Sequence, residues 1–255
     1  MTSSAPLLWG GAGLAAVVGV WQLAVTFDLV ARSSLPGPAA TARSVGRLLG
    51  NDRFRAELGV TMQAWAWALL LAIVVAVPLG LVIGRFDFWY RSAGMIVDIA
   101  RSVPPAALIP AAISIFGLGF QTKLFVVSFA IVWLILVNTV YGVRGVDPTA
   151  LQVARSLRWT KLQTFWRVIL PSASPSIATG IKLAAAIAFV VVLSAELLGA
   201  GDGVGAQMLR FGEANDTEAV YAAIVVIGAI GVTLAAVLTA IEKRLLRWHG
   251  AFRDG

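Results

Sequence analysis

The sequence predicts an all-α membrane protein that crosses the bilayer about six times. Hydrophobic residues make up 59% of the chain and charged residues only 13%, whereas a soluble domain is about half apolar and a quarter charged. Runs long enough to cross about 30 Å of hydrocarbon lie at 7–25, 61–84, 96–116, 124–143, 173–198 and 220–245. They take up most of the 255 residues, so we expect a single transmembrane domain over residues 1–255 and no separate soluble domain.

The first run, 7–25, is expected to be a retained span. No Lys or Arg precedes it, so it lacks the basic segment with which a signal peptide begins. The five arginines between this run and the next, in a stretch opened by Leu-Pro-Gly-Pro, favour an extended segment followed by a short amphipathic helix on the outer surface.

Loop charges predict the orientation of the chain. Six spans put both termini on one side, and the positive-inside rule places them in the cytoplasm. The basic residues of the two short outer loops are then only Lys123 and Arg210. Apart from those in the first outer loop, most of the other basic residues lie in the inner segments. The net charge of +7 is explained by basic loops that face the cytoplasm and anionic headgroups, without nucleic acid.

A polar, basic stretch at 147–175 separates the fourth and fifth runs and is patterned as two short helices. Asp147 and Pro148 predict the start of the first helix, and Thr160 with Gln163 forms a capping box that starts the second. Apolar residues recur on one face of each helix: Leu151, Ala154 and Leu157 in the first, and Leu162, Phe165, Trp166 and Ile169 in the second. A helical hairpin with an apolar stripe, in a solvent-facing loop, is typical of a docking surface.

This stretch resembles the cytoplasmic coupling loop of ATP-binding-cassette (ABC) importer permeases, at about 144–172. The family pattern has Glu-Ala-Ala, then a Gly four residues after the second Ala. Here the triplet is Gln152-Val153-Ala154 and the Gly position is Arg158, followed by Val168-Ile169-Leu170-Pro171. By this resemblance, the contacts with an ATPase are Gln152, Val153, Ala154, Arg155, Ser156, Leu157, Arg158, Trp159 and Thr160.

The third run contains three prolines, which forbid a straight helix and are tolerated where backbone lines a cavity or meets neighbouring helices. Its block, Pro-Pro-Ala-Ala-Leu-Ile-Pro at 104–110, is followed by Phe-Gly-Leu-Gly at 116–119. Together with Ala-Glu-Leu-Leu at 195–198 and Gly-Val-Gly at 203–205, this order of motifs resembles permeases of the nitrate, sulfonate and taurine branch.

The resemblance implies a permease subunit in the bacterial cytoplasmic (inner) membrane. Its expected partners are a second copy of the chain, a cytoplasmic ABC ATPase dimer, and an extracytoplasmic binding protein. ATP and Mg²⁺ would bind the ATPase, and no cofactor is expected on this chain. The cargo would be a sulfonate, taurine, nitrate or a similar small anion; a neutral or cationic organic, such as a pyrimidine vitamin precursor, is the alternative.

Few ionisable groups lie at membrane depth, and each has two interpretations. Asp98 and Arg101 could neutralise each other or, with Pro104 and Pro105, line the cytoplasmic part of the path. Lys182 could reach the inner headgroups. Glu196 could shape the path or outer gate, or serve packing by organising backbone or a hydroxyl such as that of Ser194.

Residues with catalytic or metal-binding patterns are not found in the sequence. The single His, His249, lies in the polar tail, and no His and acidic residues cluster as metal ligands do. The stretch at 117–123 looks like a phosphate loop, but Thr122 occupies the required Gly position. Any energy from ATP hydrolysis must therefore be supplied by another chain. An ATP-independent secondary transporter or a membrane scaffold is the alternative of a different class, and such a transporter usually needs intramembrane charges and internal repeats.

Overall fold

The computed structural model describes residues 5–29, 31 and 34–245, and these residues form helices and no strands. The helices are α1 Ala5–Thr26, α2 Pro38–Leu49, α3 Asp52–Arg85, α4 Asp87–Arg101, α5 Pro105–Phe116, α6 Phe120–Arg144, α7 Pro148–Ser156, α8 Lys161–Thr164, α9 Leu170–Leu197, α10 Val204–Glu213 and α11 Thr217–Leu245. A π-helical turn, Phe165–Ile169, joins α8 to α9. The all-α class is confirmed.

Four helical segments are long and apolar enough to cross a membrane: Asp52–Arg85, Phe120–Arg144, Lys161–Leu197 and Thr217–Arg244. They correspond to the second, fourth, fifth and sixth predicted runs. Helices α4 and α5 are together long and apolar enough for a fifth span, in the form of a broken span or a re-entrant loop. The first predicted run falls on α1, in which Ala15–Thr26 is apolar but shorter than a span. The described residues therefore support four or five spans, and the predicted six is approximate.

The third predicted run is two helices rather than one. Helix α4 ends at Arg101, α5 begins at Pro105, and the two axes differ by 85°. Pro104 caps α5 in an extended conformation and Pro105 occupies its first position, where the missing N–H costs nothing. The expectation that prolines would forbid a straight helix is confirmed.

The chain divides into two compact units. The larger contains residues 59–206 and 230–255, and its core is formed by close packing of α3, α6 and α9. The small residues at every fourth position of α3 are buried, namely Ala64, Ala68, Ala72, Ala76, Gly80 and Gly84. A Cβ on Gly80 would lie 2.6 Å from the Cβ of Thr139 on α6, and one on Gly180 of α9 would lie 2.6 Å from the Cβ of Asn138. These glycines therefore let the backbones approach closely.

The smaller unit contains residues 1–58 and 207–229. The indole Nε1 of Trp21 in α1 donates to the carbonyl of Pro36 at 3.0 Å, and Arg47 of α2 forms a 2.8 Å ion pair with Glu218. Helix α2 buries Thr41, Ser44 and Leu48 along one face, so the amphipathic helix expected in the first long loop is confirmed.

Candidate coupling loop and buried ion cluster

The first helix of the coupling loop, α7, begins where the sequence predicts. The Asp147 side chain accepts a hydrogen bond from the backbone N–H of Thr149 at 2.8 Å, and Pro148 occupies the first helical position. The carboxylate satisfies one of the N–H groups that have no partner inside the helix.

Helix α7 ends in a left-handed turn at Arg158, whose φ is 55°. The N–H of Trp159 donates to the carbonyl of Ala154 at 3.0 Å, and the N–H of Arg158 donates to that of Arg155 at 2.9 Å. This pair of hydrogen bonds defines a Schellman motif, in which the left-handed residue is usually Gly. Arg158 therefore adopts a left-handed conformation at the position where the resembled pattern has Gly, although a side chain in this conformation costs about 1–2 kcal/mol.

The second helix of the loop continues directly into the fifth span. The Thr160 hydroxyl accepts from the N–H of Gln163 at 3.2 Å, and the Gln163 side chain accepts from the N–H of Thr160 at 2.9 Å, so the predicted capping box is confirmed. From α8 the helix runs without a break to Leu197, through the π turn. In that turn the N–H of Leu170 donates to the carbonyl of Phe165, five residues back.

The apolar residues of the coupling loop divide into a buried and an exposed set. Ala154, Val168 and Ile169 are buried in a cluster with Val143, Val146, Ala173 and Ile177, and Trp159 and Phe165 pack against it. Four large apolar side chains of the loop remain exposed: Val153, Leu157, Leu162 and Trp166, at 53%, 56%, 67% and 59%. We name these four the exposed apolar patch. Several large apolar side chains exposed on one short hairpin, with polar residues between them, are typical of a surface that another protein covers.

The other predicted coupling residues lie around this patch. Gln152, Arg155, Ser156, Arg158 and Thr160 are exposed. Trp159 is half-buried beneath Arg167, whose guanidinium carbon lies 5.3 Å from the centre of the indole ring. Ala154 is buried, so within the predicted set it supports the turn instead of presenting a side chain to a partner.

A buried ion cluster lies at the opposite end of α6 and α9 from the coupling loop. The carboxylate of Glu196 is fully buried and lies 3.2 Å from the Nζ of Lys123, which is 1% exposed. It also accepts from the hydroxyl of Thr61 at 2.9 Å and from the N–H of Gly205 at 3.0 Å. A charge in this environment is tolerated because it is both paired and hydrogen-bonded.

The cluster fixes the turn between α9 and α10. Lys123 donates to the carbonyl of Asp202 at 2.7 Å, and the N–H of Val204 donates to the Thr61 hydroxyl at 2.9 Å. Gly203 has a φ of 130°, and a Cβ there would overlap the Glu196 carboxylate. The Gly-rich turn is therefore shaped to carry its backbone over the buried carboxylate.

Two sequence interpretations need correction here. Lys123 was placed in a short outer loop, but it lies in the first turn of α6 and is buried. The signal that could have revealed it is the presence of one acidic and one basic residue at the same end of two adjacent spans. Ser194 does not bond Glu196 but donates to the carbonyl of Val190, one turn earlier in α9, at 2.9 Å.

The remaining candidates are distributed as follows. Asp98 and Arg101 form a 3.2 Å ion pair with exposed side chains, as expected for mutual neutralisation, and Pro104 and Pro105 lie at the break between α4 and α5. The ammonium of Lys182, which was expected to reach the inner headgroups, contacts the carboxylate of Glu242, which is buried.

The ion cluster predicts a specific pattern of stability. Lys123→Met should lower the free energy of unfolding by about 3–5 kcal/mol, because Glu196 is left buried and unpaired. The double variant Lys123→Met, Glu196→Gln should recover most of this loss, since it buries no charge. Thermal unfolding of the purified chain in detergent measures both variants. Arg101→Met is the control, and breaking its exposed pair should cost at most about 1 kcal/mol; equal instability of the single and double variants would contradict the charge argument.

The chain is similar to curated transport proteins over almost its whole length. It is 29% identical to the taurine transport system permease protein TauC of Escherichia coli over 242 residues, which is 93% of this chain and 88% of that protein. It is 28% identical to the putative aliphatic sulfonates transport permease protein SsuC of Bacillus subtilis, over 93% of this chain and 86% of that one.

The fold is shared with a solved ABC transporter. An inward-facing structure of the methionine ABC transporter MetNI matches with a TM-score of 0.60 and 20% identity, over 77% of this chain and 98% of the matched chain. The sequence profile of the family described as "Binding-protein-dependent transport system inner membrane component" matches residues 76–247, which include the coupling loop and Glu196. The chain therefore belongs to this family of inner membrane components of binding-protein-dependent transport systems.

Proposed function

We propose that the chain is the permease subunit of an ABC importer for a small sulfonate-like anion, driven through the hairpin of α7 and α8. The observation that carries this proposal is the exposed apolar patch, which lies on a hairpin held rigid by caps at both helix starts and by the Schellman turn. A rigid, apolar hairpin tip suits insertion into a groove of another protein, and the family implies an ATPase partner.

The continuity from α8 to α9 supports a mechanical role for the hairpin. One helical segment, Lys161–Leu197, connects the exposed patch to Glu196 in the ion cluster. When ATP draws the partner ATPases together, a displaced hairpin moves the inner end of α9 as a lever. Because Glu196 holds the turn 199–205 by hydrogen bonds, the outer end of α9 moves together with that turn.

The cargo is inferred from the relatives and from the charges of the chain. Permeases named for taurine and aliphatic sulfonates are similar over most of their length, which supports a small anion. The charge of Lys123 is already neutralised by Glu196. Lys123 therefore has a structural role and does not bind the cargo. Selection of the cargo is then left largely to the binding protein, and a neutral or cationic organic remains the second candidate.

We further propose that two copies of the chain form the channel, that the coupling loop and both termini face the cytoplasm, and that ATP and Mg²⁺ bind only to the ATPase. The basic residues of the coupling loop and of the end of α11 support this orientation. An ABC importer also needs an extracytoplasmic binding protein to deliver cargo.

Transport assays test the proposed function directly. Proteoliposomes containing the chain alone should show no ATP hydrolysis and no uptake of radiolabelled taurine, with or without an ion gradient. Co-reconstitution with an ABC ATPase encoded beside it, and with its binding protein, should give uptake that depends on ATP. Uptake by the chain alone, driven by an ion gradient, would instead identify a secondary transporter.

The exposed apolar patch predicts a separation of folding from coupling. Leu157→Glu should leave membrane insertion and thermal stability unchanged, because 56% of this side chain is already exposed. It should abolish cargo-stimulated ATP hydrolysis, since burying a Leu contributes about 1.5–3 kcal/mol to an interface. The matched control is Leu118→Glu, at a 70% exposed position in the turn between α5 and α6. Normal stimulation in the Leu157 variant would place the contact elsewhere on the loop.

The left-handed turn predicts opposite effects of two substitutions at Arg158. Arg158→Gly should be tolerated in assembly and should raise the free energy of unfolding by about 1 kcal/mol, because Gly adopts a positive φ without strain. Arg158→Asp should weaken binding of the ATPase by reversing a charge beside the exposed apolar patch. Co-purification at increasing salt measures this binding, and an Asp variant that binds as the original chain does would show that Arg158 faces away from the partner.

A further inference from the structure

A groove lies between α4 and the inner half of α6, on the same side of the larger unit as the coupling loop. Its volume is about 1010 Å³, and its walls include Gly94 and Met95 of α4 and Leu136 and Val140 of α6. Tyr141, also in the wall, lies three residues before the end of α6 and six residues before the cap of α7.

The groove combines apolar residues of α4 and α6 with charged residues of α4, namely Arg91, Asp98 and Arg101. Met95 and Ile99, which line it, are 73% and 59% exposed, so the chain itself leaves the apolar surface uncovered. Arg91 and Arg101 also line it, three turns apart on α4. Such a surface favours a ligand with an anionic head and an apolar tail.

The charges at the groove leave one cation without a partner. Arg101 is paired with Asp98 at 3.2 Å, and the neighbouring Arg144 is paired with Asp87 at 3.0 Å and stacks on Tyr90, 4.0 Å from the ring centre. Arg91 makes no ion pair with any residue that the structure describes. The groove therefore carries a net positive charge that centres on Arg91.

We propose that this groove binds an anionic phospholipid from the leaflet on the coupling-loop side. The phosphate lies against Arg91, and one acyl chain lies between α4 and α6 beside Gly94. Helix α4 has the composition of a helix at the membrane interface, with basic residues and with Trp89 and Tyr90 in its first turn. Basic pockets between helices on the cytoplasmic side recognise anionic headgroups. Bound lipid at this site would stabilise the bend between α4 and α5.

The proposal is tested on the assembled transporter, purified with its ATPase in mild detergent and stripped of lipid. Native mass spectrometry measures binding of added phosphatidylglycerol and, separately, phosphatidylcholine. Arg91→Gln should weaken phosphatidylglycerol binding about fivefold, which corresponds to about 1 kcal/mol for one basic residue near an anionic lipid. Arg85→Gln is the matched control, because Arg85 is exposed at the neighbouring helix end and does not line the groove.

A second variant tests the position of the acyl chain. A Cβ on Gly94 would meet no atom within 4 Å, so Gly94→Leu should fold normally while it fills the groove and weakens binding of both lipids. Unchanged phosphatidylglycerol binding in Arg91→Gln, or an equal loss in Arg85→Gln, would overturn the proposal. Competition by free phosphate or by a short sulfonate would assign the groove to small anions, and loss of a permease copy from the Gly94→Leu complex would assign it to the second copy; either result also overturns the lipid site.

Discussion

Close contact between α3, α6 and α9 is the constraint on which the rest of the larger unit depends. Lipid offers no hydrophobic gain for bringing helices together, so association in a membrane depends on tight packing and on polar bonds. Because Gly80 of α3 and Gly180 of α9 have no side chain, their backbones lie directly against Thr139 and Asn138 of α6. This approach aligns Thr61, Lys123 and Glu196 at one end of the three helices, and it leaves the coupling loop at the other.

The two ends of this helix group use polar chemistry in opposite ways. At the end with Glu196, charge and backbone groups are buried and mutually satisfied, which holds one arrangement of the turn 199–205. At the other end, hydrogen bonds shape the hairpin from within, and its large apolar side chains are left exposed. Glu196 and two residues of the exposed apolar patch, Leu162 and Trp166, thus lie along one helical segment, Lys161–Leu197.

Much of this arrangement could be predicted from the sequence, and the exceptions have physical reasons. Helix starts at Asp147 and Thr160 and the break at Pro104 follow from local chemistry, so they were predicted correctly. Arg158 stands where the resembled pattern has Gly, and its left-handed φ of 55° could not be predicted from the residue itself, because Arg rarely adopts this conformation. Local patterns do not identify the partners of Glu196 and Lys182, because their ion pairs join residues 73 and 60 positions apart and depend on tertiary packing; only the shared end of the two spans relates Lys123 to Glu196. The π turn also has no local signal, since an insertion of one residue into a helix leaves the apolar pattern nearly unchanged.

The buried pair of Lys123 and Glu196 also constrains the order of biosynthesis. Lys123 leaves the ribosome 73 residues before Glu196, and a lone ammonium is costly in hydrocarbon. Until α9 is made, Lys123 lacks its carboxylate partner, and its long side chain is expected to extend toward the headgroups. Synthesis of α9 supplies Glu196, which then joins α6, α9 and the Gly-rich turn through one set of contacts. The end of this unit that contains Glu196 therefore becomes complete only after α9 has been made, although α6 is made earlier.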